Sequence, residues 1–88
     1  MTAEKLYTEA LRKWGQIAQI DQCIEECGEL VAALQQFKRG RPVNVITEIA
    51  DVTIMAEQMR LMFGADTVDG LKESKLERLE RRLGEEQE

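Results

Sequence analysis

The chain has 88 residues, a formal net charge of -5 at pH 7 and no histidine. That balance excludes the contiguous basic surface a nucleic-acid backbone requires, so no nucleic-acid partner is expected. It leaves room for a small anionic substrate, because bound divalent cations can reverse the local field. No basic-then-apolar leader and no apolar run of bilayer-spanning length occurs, so neither a membrane partner nor secretion is expected and the location reads as cytoplasmic. A domain this small buries little surface per residue, which predicts an oligomer.

In chain order the sequence punctuates itself into helices. Thr2 is a candidate cap for a first helix to about Lys13, with Leu6, Tyr7, Ala10 and Leu11 inward, and Trp14-Gly15 interrupts it. A second helix is predicted from about Gln16 to Phe37, where Ile17, Ile20, Cys23, Ile24, Cys27, Leu30, Val31 and Leu34 recur at steps of three and four. Lys38-Arg39-Gly40-Arg41-Pro42 ends it by the conformational preferences of glycine and proline.

A third helix, about Val43 to Phe63, is apolar on almost every side through Val45, Ile46, Ile49, Val52, Ile54, Met55, Met59 and Met62, and is expected to be buried all round. One short chain supplies too few neighbours to cover it, so a second copy must. Gly64-Ala65-Asp66 reads as a turn. The fourth helix, about Thr67 to Leu83, carries Val68, Leu71, Leu76, Leu79 and Leu83 among charges. The expected fold is all-α: a bundle of about four helices in a single domain over residues 1–83, completed by oligomerisation, with a frayed acidic tail at 84–88.

Cys23 and Cys27 are four apart, a spacing that is neither a redox CxxC nor a zinc knuckle. Both are read as reduced, small apolar core residues.

The chemistry lies in the carboxylates. Glu25-Glu26-Cys27-Gly28-Glu29 and Glu48-Ile49-Ala50-Asp51 sit in apolar helical stretches, with no basic residue between Gln16 and Phe37. Glu26 and Glu29 are three apart and so share a helix face, and Glu48 and Asp51 repeat that geometry. If the two helices pack antiparallel, their acids converge between them, as metal ligands do in helix bundles. Five such carboxylates repel at about 4 kcal/mol per close pair for an effective dielectric constant near 20. An oxygen-only set without imidazole suits Mg²⁺, with Mn²⁺ as the second choice. On the helical wheel Glu29 lies nearly opposite the Ile20, Cys27 and Val31 stripe and Glu26 at its edge, giving the helix two working faces. Gly28, costly in mid-helix by about 1 kcal/mol relative to Ala, implies close approach by a neighbour or ligand.

With those residues in view, the chain resembles the MazG-like, all-α nucleoside triphosphate pyrophosphohydrolases. Glu25-Glu26-Cys27-Gly28-Glu29 followed by Glu48-Ile49-Ala50-Asp51 is similar to their EExxE and ExxD signature. The likeness extends to Trp14-Gly15 and Gln19 upstream and to Lys75-Leu76-Glu77-Arg78-Leu79 downstream. It implies Mg²⁺-dependent hydrolysis of a nucleoside or deoxynucleoside triphosphate to the monophosphate and pyrophosphate, on a homodimer or homotetramer. Carried over, it makes Glu26, Glu29, Glu48 and Asp51 metal ligands and Glu25 a ligand or water-orienting base, with Glu25, Glu26 and Glu29 the catalytic acids.

Phosphate charge calls for cations. Lys38, Arg39 and Arg41 occupy the loop between the acidic helices, where Arg39 is the phosphate candidate against the simpler reading of a basic helix C-terminus. Lys72, Lys75, Arg78 and Arg82 recur on the last helix among Glu73, Glu77 and Glu80, an ordinary exposed pattern in which Lys75 and Arg78 are singled out by the resemblance alone. Trp14, with Gln19 nearby, is a candidate base platform or equally an interface anchor. The rival class is a noncatalytic oligomeric helical module that binds a divalent cation or a basic partner.

Overall fold

The computed structural model describes residues 1–87, with side chains to Glu85. Four helices account for nearly all of them: α1 (Ala3–Trp14), α2 (Gln16–Lys38), α3 (Val45–Phe63) and α4 (Ala65–Gln87), with no strand among the described residues. Among the described residues no helix is long and apolar enough to cross a membrane.

The boundaries follow local chemistry. The Thr2 hydroxyl accepts from the Lys5 N–H at 3.2 Å and starts α1. Gly15, at φ 88, takes a conformation L side chains rarely adopt and turns the chain into α2 at once. Beyond Lys38, the N–H of Gly40, also left-handed at φ 73, donates to the Phe37 carbonyl at 3.0 Å, and the Arg41 N–H to the Gln36 carbonyl at 3.0 Å. These bonds close the last turn of α2.

Three expected boundaries move. α3 starts at Val45 rather than Val43, because the side-chain amide oxygen of Asn44, Oδ1, accepts from the Thr47 N–H at 3.0 Å and caps it. Ala65 and Asp66 belong to α4, since Gly64 alone, at φ 130, makes the elbow. Gly84 does not stop α4, which stays helical through Gln87, past the expected end at Leu83. Glu88 lies outside the described residues.

α2 and α3 form the body of the molecule, a helical hairpin with much the most extensive packing of any pair. α2 turns Gln19, Cys23, Glu26, Leu30 and Ala33 inward. α3 answers with Val45, Glu48, Val52, Met55, Met59 and Met62 at alternating steps of three and four, all buried or half-buried. α1 lies across this hairpin, tied by the Tyr7 hydroxyl donating to Glu57. α4 packs on α3 alone, held at the elbow by a two-pronged Arg60 to Asp69 ion pair at 2.7 and 2.6 Å.

The all-round burial expected of α3 is not found within one chain. Met55 is its one buried residue, and Ile46 is 81% exposed. Leu6, expected inward on α1, is also exposed, as is the stripe on α4. Cys27 is exposed rather than in the core, while Cys23 is half-buried. Apart from its chain neighbours and the adjoining helix backbone, no atom of the described residues lies within 4 Å of where a Cβ at Gly28 would stand, so the expected close neighbour is not found among them. The radius of gyration of 16.3 Å exceeds the roughly 12 Å of a compact domain of this length.

Candidate functional site

The facing stripes of α2 and α3 bring acids together in an otherwise apolar seam. One carboxylate oxygen from each of Glu26, Glu29 and Glu48 falls within 4.8 Å of the others. Glu26 and Glu48 are half-buried and Glu29 is exposed at the rim. Glu26 Oε1 accepts from Gln22 Nε2 at 2.8 Å, but Glu26 Oε2 and Glu48 Oε2 are buried with no hydrogen-bond partner among the described residues. Unpaired acceptors out of water are unfavourable, and a cation or donor arriving between them satisfies both.

The electrostatics point the same way. The Glu29 carboxyl is held above the ordinary carboxylate range, first by the charge of Glu26, then by burial of its oxygens and the charges of Glu48 and Glu25. Glu48 also stands in the first turn of α3, where the helix dipole favours a negative charge. α3 thus adds the charge of Glu48 to those that Glu26 and Glu25 already impose on Glu29 within α2.

Other sequence candidates fall at different distances from this cluster. Asp51, one turn beyond Glu48 and half-buried, is not among the three whose oxygens converge. Glu25 is exposed and acts on the cluster through its charge on Glu29. Arg39 caps α2 through its backbone N–H, ten residues and so about 15 Å of helix beyond Glu29. Lys75 and Arg78 ride on α4, which does not touch α2, so a single chain does not deliver them to the α2 acids. Lys75 instead borders the apolar stripe of Leu71, Leu76 and Leu79.

Trp14 and Gln19 line different pockets of the chain, which have Tyr7 and Gln58 in common. Trp14 is 60% exposed, beside Lys13, whose ammonium stands 5.4 Å from the ring centroid. It lines an open groove with Leu6, Ala10 and Ile54. Gln19 is buried and lines a separate pocket of about 100 Å³ with Tyr7, Leu11, Gln58, Met59 and Met62. Gln58 was missed in the sequence. Its Oε1 is buried without a hydrogen-bond partner among the described residues, and the available signal was an amide placed seven residues after Asp51 among methionines. Gln19 precedes Glu26 by seven residues and Gln58 follows Glu48 by ten, so the two amides stand about 10 and about 15 Å along their helices from the clustered acids.

Comparison with family models, with curated proteins and with solved structures finds no match to this chain. The class that fold and site define is therefore an all-α helical bundle with a three-carboxylate cluster between its two principal helices.

Proposed function

We propose that this chain is a Mg²⁺-dependent nucleotide pyrophosphohydrolase, with Mn²⁺ as the alternative ion, that converts a nucleoside or deoxynucleoside triphosphate to the monophosphate and pyrophosphate. The observation that carries the reading is the convergence of Glu26, Glu29 and Glu48, with two buried carboxylate oxygens lacking partners. The donor set fits the ion: oxygen only, from two helices, with no imidazole in the chain. The similarity of Glu25-Glu26-Cys27-Gly28-Glu29 and Glu48-Ile49-Ala50-Asp51 to the MazG-like acidic signature supports the same reaction.

Glu26, Glu29 and Glu48 would hold the ion, with Asp51 the nearest further carboxylate on α3. When bound, such an ion supplies charge compensation for phosphate oxygens and acidifies a water at neutral pH. The chain's own acids would orient a water toward the α-phosphorus; as its oxygen bonded there, the bond from that phosphorus to the bridging oxygen of the β-phosphate would break, pyrophosphate would leave, and the water's proton would pass to a rim carboxylate, Glu25 or Glu29. No side-chain nucleophile enters the scheme, consistent with a chain that has no His to activate Ser or Cys.

The amides of Gln19 and Gln58 suit the other end of the substrate. In the same small pocket, with unused acceptor capacity at Gln58, they can hydrogen-bond a base edge whose phosphates reach the carboxylates. Arg39, Lys75 and Arg78 are the remaining phosphate candidates, the last two from a second copy in a dimer or tetramer. The test is pyrophosphate release from a panel of ribo- and deoxynucleoside triphosphates with Mg²⁺ or Mn²⁺. Release abolished by EDTA is expected. A folded protein that releases none across the panel overturns the proposal and favours the noncatalytic module.

A further inference from the structure

Among the described residues, Tyr7 is the one residue common to the three cavities that α1 forms with the other helices. The first is the pocket of about 100 Å³ that holds the amides of Gln19 and Gln58. The second is the open groove of about 540 Å³ that holds Trp14 and Ile54, and Gln58 lines that one as well. The third, of about 670 Å³, lies between α1, α3 and α4 and holds Glu57 and Arg60. The Tyr7 side chain is therefore a partition, and the space on either side of it reaches Gln58.

Little holds this partition in place. α1 has no buried residue, and Tyr7 itself is half-buried. Among the described residues, the one side-chain hydrogen bond from α1 to the α2–α3 hairpin is that of the Tyr7 hydroxyl to the exposed carboxylate of Glu57. Water competes for both groups, so the net strength of the bond is modest.

Size indicates that the partition moves. Ligand pockets measure roughly 300–1,000 Å³, and the amide pocket by itself is well below that range. Its polar groups are nonetheless arranged as for a ligand, since Gln19 is 6% exposed and Gln58 Oε1 is buried with no hydrogen-bond partner among the described residues. Joined to the Trp14 groove, the space falls within the range and keeps both amides along its wall.

We propose that Tyr7 is a specificity-determining gate: latched to Glu57 it divides the amide pocket from the Trp14 groove, and unlatched it joins them into one cavity that admits a nucleobase. A base is a flat heterocycle with donors and acceptors along its edge, which the amides of Gln19 and Gln58 can meet. The latched state excludes it, so the apparent affinity is that of the open state reduced by the open fraction. The gate accordingly acts on the association rate and leaves the dissociation rate alone. The Tyr7 ring also sets the width of the opening, and with it the balance between one-ring and two-ring bases. That the ligand is a base rests on the role proposed above for the two amides, whereas the hydrolytic step is not needed.

The test is binding of adenosine, guanosine, cytidine and uridine to the full chain in EDTA, with affinities from calorimetry and rates from the fluorescence of Trp14, the sole tryptophan. Circular dichroism checks that each variant is helical. Tyr7→Phe and Glu57→Ala both remove the latch and leave a six-membered ring at the partition. Each is expected to bind about fivefold more tightly than wild type, the equivalent of one net hydrogen bond, through faster association at an unchanged dissociation rate. Tyr7→Ala removes the ring and is expected to shift the ranking toward adenosine and guanosine. A bond that merely steadies α1 gives the opposite sign, weaker binding in Tyr7→Phe and Glu57→Ala, and that result overturns the proposal. So does a wild type that binds none of the four nucleosides, or a ranking unchanged in Tyr7→Ala. Should Tyr7→Ala fail to fold, the sign of the change in the two latch variants decides alone. Latch-dependent nucleoside binding without pyrophosphate release from the triphosphates supports the gate and overturns only the hydrolase reading. Pyrophosphate release with binding indifferent to all three variants overturns only the gate.

Discussion

Glu48→Gln isolates the strain in the acidic cluster. Glu26 and Glu48 place carboxylate oxygens within 4.8 Å of one another, so their repulsion lies between about 1 kcal/mol in a water-like dielectric and about 3.5 kcal/mol at an effective constant of 20. Half-buried groups fall between these limits, and about 2 kcal/mol is a central figure. Against it stands the favourable placement of Glu48 in the first turn of α3, about 0.5 kcal/mol that the amide forfeits. The expected net gain is about 1.5 kcal/mol for the metal-free protein, or about 6–12 °C in melting temperature for a domain of this size. Mg²⁺ should raise the wild-type melting temperature, because a ligand bound only by the folded state stabilises it by mass action. The variant should have largely lost that response. Thermal melts in EDTA and in a Mg²⁺ series measure both. A variant that melts below wild type in EDTA, or that keeps the full Mg²⁺ response, refutes the reasoning.

The raised proton affinity of Glu29 makes metal-free stability pH-dependent: the folded state binds the proton more tightly than the unfolded chain. The favourable contribution is complete below the ordinary carboxylate pKa and lost as pH rises through the raised one, so mild acidification from neutral pH should stabilise the protein in EDTA and do so less in Mg²⁺; melts across that range decide it. Glu29→Gln and Asp51→Asn should abolish pyrophosphate release with helicity intact, whereas Arg39→Ala should act mainly on KM, because a loop cation contributes a partly screened attraction; steady-state kinetics with circular dichroism tests the contrast. Met55→Ala, at the one buried position of α3, should cost about 2–5 kcal/mol in denaturant unfolding, a large share of the stability of a small domain. Gln58→Leu should leave stability unchanged or raised, since it removes an unpaired buried oxygen, and should change the ranking of bases in the substrate panel.

The sequence by itself determined the helices and most of their ends, because these depend on neighbours in the chain: a hydroxyl at Thr2, left-handed glycines at 15 and 40, and spacings of three and four through α2 and α3. The start of α3 was read two residues early, because an apolar Val43 outweighed the capping capacity of Asn44. The pairing of Glu26 with Glu29 on one face was legible for the same local reason. Which acids meet across the two helices was not, because it depends on the rotation of each helix about its axis. Packing set that rotation so that Glu48 entered the three-oxygen group and Asp51 did not. Rotation likewise separated Trp14 from Gln19 and placed Gln58 beside Gln19. The tertiary structure also decided what apolar composition could not: α2 and α3 each carry more apolar positions than one chain covers, and Ile17, Ile24, Val31, Ile46 and Ile49 are left exposed. Hydrophobicity is a scalar that a sequence lists residue by residue, whereas burial depends on direction, and direction exists only once the helices have packed.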